Sequence, residues 1–306
     1  MHSGPAAPVI FDRRSVRRHR DRAAARLDEH DFLLREVGER LADRLNDVRR
    51  TFPLALDLGC RRGLLAGLLP ERAGVETLVQ CDLSAAMLDT APGLRVVGCE
   101  EALPFAHGRF DLVLSLLSLH WVNDLPGALL QIRHALKPDG LFLGAMLGGQ
   151  TLTELRRSLA DAEIALEGGL SPRVSPFADV RDAGNLLQRA GFALPIADAE
   201  TITVSYGDPF ALLADLRGMG EANAVLGRRA GFSRRATLFD ALARYRTVYG
   251  GPDGRVPATF EVIFLVGWAP DASQPKPLRR GSGRARLADA LGSEEIPAGE
   301  RVEAGE

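Results

Sequence analysis

The stretch Leu54-Ala55-Leu56-Asp57-Leu58-Gly59-Cys60-Arg61-Arg62-Gly63, followed by Cys81-Asp82-Leu83-Ser84, decides how this chain folds. Each piece is an apolar run that ends in aspartate. After the first comes a turn holding Gly59 and Gly63, and after the turn a helical pattern. A glycine turn between strand and helix lets backbone approach a ligand closely at the carboxyl edge of a parallel sheet, where open α/β sheets bind their ligands. Asp57, Gly59 and Gly63 are therefore candidate binding residues. Asp82 ends the second run at the position where dinucleotide-binding folds keep an acid for ribose hydroxyls. A carboxylate suits a vicinal diol because it accepts two hydrogen bonds at once. A helix N-cap is the alternative role for Asp82 or Ser84.

The same texture extends outward. Short apolar runs predict strands over 53–58, 77–81, 94–97, 110–116 and 141–146, and longer amphipathic stretches predict helices over 64–69, 85–89 and 125–136. Lys137-Pro138-Asp139-Gly140 reads as a turn. Strands alternating with helices through short connections imply a parallel sheet covered on both faces. Beyond Gly149 the chain becomes more helical, over 152–166, 180–190, 210–216 and 234–249. Two further strands are expected over 196–205 and 259–266. Residues 1–8 read as a loose tail. Residues 1–50 form a helical segment ahead of a domain at 51–269, with helical insertions around 150–190 and 207–255. The Pro-, Gly- and Glu-rich 270–306 is expected to be disordered. The helical segment opens with Arg13, Arg14, Arg17, Arg18, Arg20, Arg22 and Arg26. A solvated face is the expected reading of that charge run, over an arm that meets an acidic partner.

Composition narrows the class. The chain has 306 residues, 46% hydrophobic and 25% charged, with a formal net charge of −2. That balance asks for no nucleic acid. No apolar run approaches the roughly 18 residues of a membrane span, so at most peripheral contact with a membrane is expected. The first residues do not form a secretory signal. The three cysteines fit neither a disulfide framework nor a zinc site, and a reducing cytoplasm suits them best. Cys60, Cys81 and Cys99 end the first three strands and are expected to pack as small hydrophobes, over a redox patch. His19-Arg20-Asp21 is read as chance, His107 as a surface residue and His134 as structural, so no metal site is expected. His120, with Trp121, follows the fourth strand above the pocket. It is either a histidine on an aromatic shelf or an acid–base group near neutral pH.

A third signal joins the first two. Cys99-Glu100-Glu101-Ala102-Leu103-Pro104-Phe105 follows the third strand, where side chains reach an adenine edge, and Ser115 to Asp124 caps the site. Together with Asp57-Leu58-Gly59, Asp82-Leu83-Ser84-Ala85-Ala86-Met87-Leu88, Phe110-Asp111-Leu112-Val113 and Leu136-Lys137-Pro138-Asp139-Gly140, it resembles the ordered motifs of class I methyltransferases. The resemblance implies a Rossmann-like α/β sheet of seven strands, the last antiparallel, with a helical N-terminal segment and helical lid insertions. It implies S-adenosylmethionine as cofactor. The cofactor residues would be Asp57, Gly59, Cys60, Arg61, Gly63, Asp82, Leu83, Met87, Glu100, Glu101 and Ser115, with His120 and Trp121 at the reacting end.

A narrower resemblance covers most of the chain. Ser118-Leu119-His120-Trp121-Val122-Asn123-Asp124-Leu125-Pro126, Gly148-Gly149-Gln150-Thr151-Leu152, Gly169 to Phe177, Leu216-Arg217-Gly218-Met219-Gly220-Glu221, Val256 to Glu261 and Gly267-Trp268 are similar to the complex I assembly factor 5 family. That family is related to malonyl carrier-protein methyltransferases. It implies hydroxylation of an arginine on a subunit of NADH dehydrogenase, or an assembly role. Two positions depart from the usual pattern. Arg61 stands where glycine is common and Cys99 where an acid often ends the third strand. Arginine at a positive φ is costly. It either repels a sulfonium or, with Arg62, pairs with the ligand's carboxylate. These departures leave a conventional O-methyltransferase and a non-catalytic chaperone as the competing readings.

Overall fold

The computed structural model describes residues 9–229, 231–275 and 287–294. Its sheet contains β1 (Leu54–Leu58), β2 (Thr77–Asp82), β3 (Leu94–Val97), β4 (Phe110–Leu116), β5 (Leu136–Leu147), β6 (Ala193–Tyr206) and β7 (Val256–Trp268). The spatial order is 3-2-1-4-5-7-6. β1 pairs in parallel with β2 and β4, and β7 runs antiparallel between β5 and β6. The order reverses beside β1, so the loops after β1 and β4 diverge and open a crevice at the carboxyl edge.

Helices α1 (Arg13–Ala23), α2 (Phe32–Asp43), α3 (Ala85–Leu88), α4 (Leu125–Ala135), α5 (Thr153–Glu167), α6 (Val180–Arg189), α7 (Pro209–Gly218) and α8 (Arg235–Tyr249) flank the sheet. Their starts follow capping chemistry. The Asp124 carboxylate accepts the Gly127 N–H ahead of α4, and Asp208 accepts the Phe210 N–H ahead of α7; both helices carry proline in the first turn. Alternating residues divide the sheet into two apolar faces. On one, Leu112, Leu114, Leu143 and Ala145 meet Leu33, Leu34, Val37 and Leu41 of α2 together with α5, α7 and α8. On the other, Leu56, Leu58, Val113 and Phe142 meet α4 and α6. Burial of each α2 leucine contributes roughly 2 kcal/mol, so the apolar stripe from Ala23 to Leu45 is part of the main core.

Several expectations are corrected. α6 belongs to the core layer opposite α5, as the crossover helix between β5 and β6. The connections 168–178 and 219–229 and the facing sides of α5 and α7, which fall in the stretch expected to form a lid, line one cavity. The helix expected over 64–69 is a 3-10 turn at Leu64–Gly67. Strand pairing of β5 begins at Leu136, taking in the expected turn at Lys137 to Gly140. The contact pattern separates Met1–Asp271 from Ala272–Glu306. Within the latter, Leu287–Leu291 is a short helix, α9, against the expectation of disorder. The rest of that expectation, past 275 and apart from 287–294, lies outside the described residues, as does the loose tail at 1–8.

Candidate active site and cofactor cradle

The turn after β1 is tight because only glycine fits two of its positions. Gly59 has φ +74°, and a Cβ there would lie 2.1 Å from the Ser118 Oγ; Gly63 has φ +75°. Its amides bond to the end of β2, with Gly59 N–H donating to the Cys81 carbonyl at 2.7 Å. Asp57 lies beneath this turn and is fully buried. Neither of its carboxylate oxygens has a hydrogen-bond partner among the described residues. Burial, with the charge of Asp82 nearby, pushes its carboxyl up to about 8. It borders a cavity of about 170 Å³ whose walls include Gly59, Cys60, Arg61 and Thr90.

Arg61 adopts φ +53°, the conformation that sequence reading counted as costly. Its backbone N–H donates to Asp82 Oδ2 at 2.9 Å. Its guanidinium turns away from the turn, donating to the carbonyls of Met219 at 2.6 Å and Leu117 at 3.0 Å, and it pairs with Glu221. Three anchors offset the strain, of order 1–3 kcal/mol for a non-glycine residue there. Arg62 is held by Asp28 and Thr90. Both arginines thus have partners within the protein, and both line the cavity beside Asp57.

At the end of β2, Asp82 meets Arg20 of α1. Arg20 is 1% exposed. It donates to Asp82 Oδ2 at 3.0 Å, Glu100 Oε1 at 3.4 Å and Ser118 Oγ at 2.7 Å. Arg13, on the same helix face, pairs with Glu100 and donates to the Trp121 carbonyl at 2.9 Å. Burial acts to raise the Glu100 carboxyl, but Arg13 and Arg20 outweigh it and hold it at about 2. For these two arginines the solvated-face reading is corrected, while Arg14, Arg17 and Arg18 of α1 stay exposed.

Toward the lid, Glu221 gathers three donors. Its side chain is 8% exposed and pairs with Arg61, with His120 Nε2 at 3.0 Å and with Trp121 Nε1 at 2.8 Å. Burial opposes its ionisation, yet His120 and Arg61 hold the carboxyl well below the usual range. The other His120 nitrogen lies 3.4 Å from the Leu147 N–H, which makes Nδ1 the acceptor and Nε2 the donor to Glu221. The His120 side chain is wholly buried and its Nε2 is engaged by Glu221, so in this arrangement it supports that carboxylate. Trp121 and Glu221 form part of the wall of a second cavity, about 320 Å³, with Leu155, Phe177, Leu216 and Arg217.

The remaining expected residues disperse. Cys60 packs with Leu88 and Ala91, Cys81 lies in the α4 face of the core, and Cys99 lies beside Arg13. Met87 is in the α2 face of the core and Leu83 packs beside Phe11 and Trp121. Ser84 is the N-cap of α3, and Asp82 takes the Ser84 N–H as well. Glu101 accepts from Asn123, so Glu100 and not Glu101 is the acid at the centre. Ser115 is buried with no partner for its hydroxyl among the described residues. Sequence reading missed Arg20, Ser118 and Glu221. A signal for the last was its lone acid in Gly218-Met219-Gly220-Glu221.

Comparison with known proteins agrees with this geometry. Residues 56–144 match the methyltransferase domain family. The chain is 48% identical to the zebrafish (Danio rerio) mitochondrial arginine-hydroxylase NDUFAF5, over 92% of this chain and 89% of that protein. Against the human protein of the same name it is 47% identical, over 92% and 83%. It is 38% identical to a malonyl-[acyl-carrier protein] O-methyltransferase of Halorhodospira halophila, over 88% and 91%. Among solved structures, the YcgJ protein of Bacillus subtilis superposes with a TM-score of 0.53 at 14% identity, over 77% of this chain and 99% of that one, which shows the shared fold. The sheet order, the glycine turn and identity sustained over nearly the whole chain lead to one assignment: this protein belongs to the NDUFAF5 arginine-hydroxylase family of methyltransferase-fold enzymes.

Proposed function

We propose that this protein binds S-adenosylmethionine in the crevice after β1, β2 and β4 and hydroxylates an arginine of an NADH dehydrogenase subunit. The observation that carries this reading is 47–48% identity over 92% of the chain to proteins named arginine-hydroxylases. The cofactor assignment has its own support. Asp57 is a buried carboxylate lacking a hydrogen-bond partner among the described residues, and it borders a cavity beside a glycine turn. The ligand's ammonium suits that carboxylate, and its ribose diol suits Asp82. When bound, the cofactor would supply a sulfonium-activated methyl group, which serves methyl transfer; hydroxylation would draw its oxygen from dioxygen and two electrons from an external reductant, with this chain's residues holding the arginine and the cofactor in place. Asp57 orients the amino-acid end and excludes water there. Arg61 and His120 keep Glu221 ionised at the wall of the larger cavity, which we assign to the acceptor. Three free thiols and a chain in which, among the described residues, no helix is long and apolar enough to cross a membrane fit a reducing compartment, with at most peripheral membrane contact.

A second reading, methyl transfer to a carrier-bound carboxylate, is favoured by one observation. Arg22 and Arg217 reach the wall of the larger cavity, and among the described residues no carboxylate pairs with either. Two cations without an anionic partner among the described residues suit an anionic acceptor. Mass spectrometry of NADH dehydrogenase subunits from cells lacking the gene decides between the readings. Hydroxylation requires one arginine to lose an added oxygen. Unchanged masses on every arginine, with methyl transfer to malonyl carrier protein by the purified enzyme, would replace the first reading by the second.

A further inference from the structure

We propose that α1 is a plug in the cofactor cradle: Arg20 holds the carboxylates needed for the ribose, and an adenosine-bearing ligand binds by expelling it. The inference rests on the cofactor reading above and goes beyond it by assigning the N-terminal helix a gating role. A carboxylate offers about four acceptor positions. Asp82 already serves the Arg61 N–H, the Ser84 N–H and Arg20. A vicinal diol needs two more, so the diol and Arg20 compete for Asp82. Arg20 also spans to Glu100 and Ser118, and Arg13 covers Glu100 from the other side. The cavity beside Asp57 stops short of this ground, since neither Asp82 nor Glu100 forms part of its wall.

The helix is built to move as a unit. Arg13 and Arg20 are seven residues apart and share a face with Val16, so one displacement removes both cations. α1 runs directly into a six-residue 3-10 segment, Ala24–Glu29. Runs of that length are uncommon and often mark a hinge. At its other end α1 is tied to the lid, where Asp12 N–H donates to the Ala224 carbonyl at 2.8 Å and Phe11 stacks edge-on to Trp121 at 5.4 Å. Expulsion of the plug thus loosens the lid over the acceptor cavity, which orders binding: cofactor first, acceptor second. Buried ion pairs contribute little net stability against the cost of desolvating both partners, so the plug can be strong enough to close the site and weak enough to be displaced.

The test is calorimetric titration of the full-length protein with S-adenosylhomocysteine, in the wild type and in Arg20→Met and Arg20→Lys. Arg20→Met should bind at least tenfold tighter, and Arg20→Lys should fall between the two. Equal or weaker binding by a folded Arg20→Met protein would overturn the plug while leaving the cofactor reading intact. Absence of binding by the wild type and both variants would remove the cofactor reading and the plug with it. Hydrogen exchange on the wild type supplies a readout independent of any variant's folding. Amides of residues 13–29 should exchange at least tenfold faster when the ligand is added, and slower or unchanged exchange there would overturn the proposal.

Discussion

Asp57→Asn isolates the most costly charge in the site. Asp57 is fully buried and pushed from 3.8 up to about 8. At about 1.4 kcal/mol per pH unit, ionising it in the folded protein costs roughly 5–6 kcal/mol more than in the unfolded chain. The folded state therefore keeps a proton that the unfolded chain releases above its ordinary pKa. Stability from this proton is complete below about pH 4 and is lost as pH rises toward 8, at about 1.4 kcal/mol per unit. Asparagine has the same shape and does not titrate. The stability difference, variant minus wild type, should thus grow steadily from pH 5 to pH 8 and level off above it. Urea denaturation of both proteins at one-unit pH steps measures this directly. Ligand binding should show the reverse trend. An ammonium on Asp57 requires the ionised form, so wild-type affinity for S-adenosylhomocysteine should rise up to tenfold per unit between pH 6 and 8, and the asparagine variant should lose that slope. A stability difference independent of pH would refute the claim that Asp57 is protonated in the ligand-free fold.

Two further outcomes follow from the same geometry. Gly59→Ala places a methyl group 2.1 Å from the Ser118 Oγ at φ +74°, and Ser118 cannot yield freely because it bonds Arg20 and Glu100. A loss of about 3 kcal/mol is expected by urea denaturation, and an unchanged midpoint would show that the turn tolerates a side chain. Glu221→Gln leaves the buried Arg61 without its anion and should cost about 3 kcal/mol and most of the acceptor turnover; full stability together with wild-type turnover would show that Glu221 neither anchors Arg61 nor shapes the acceptor cavity.

The parts of this protein that were legible in sequence are those fixed by local chemistry. An aspartate ending a short apolar run, ahead of a turn or a helix N-cap, marked the strand mouths here, and Asp57, Gly59 and Asp82 lie at such mouths. Strand edges blurred only where pairing with a neighbour extended them, as in β5 and β7. Glu221 was out of reach for a different reason. Its partners Arg61 and His120 are more than a hundred residues away, and nothing local brings them together. Arg20 falls between these cases. Among seven arginines its charge carried no information, but its phase did: Val16, Ala23 and Leu27 are buried apolar residues spaced at helical intervals, and Arg13 and Arg20 lie in step with them. A cation in phase with the buried stripe has to be matched by a buried anion or the helix cannot dock. Asp82 and Glu100, both at strand mouths, were the acids available. The helical phase of a charge thus says more about its fate than the density of charges around it, and in this chain it links α1 to the crevice at the carboxyl edge of the sheet.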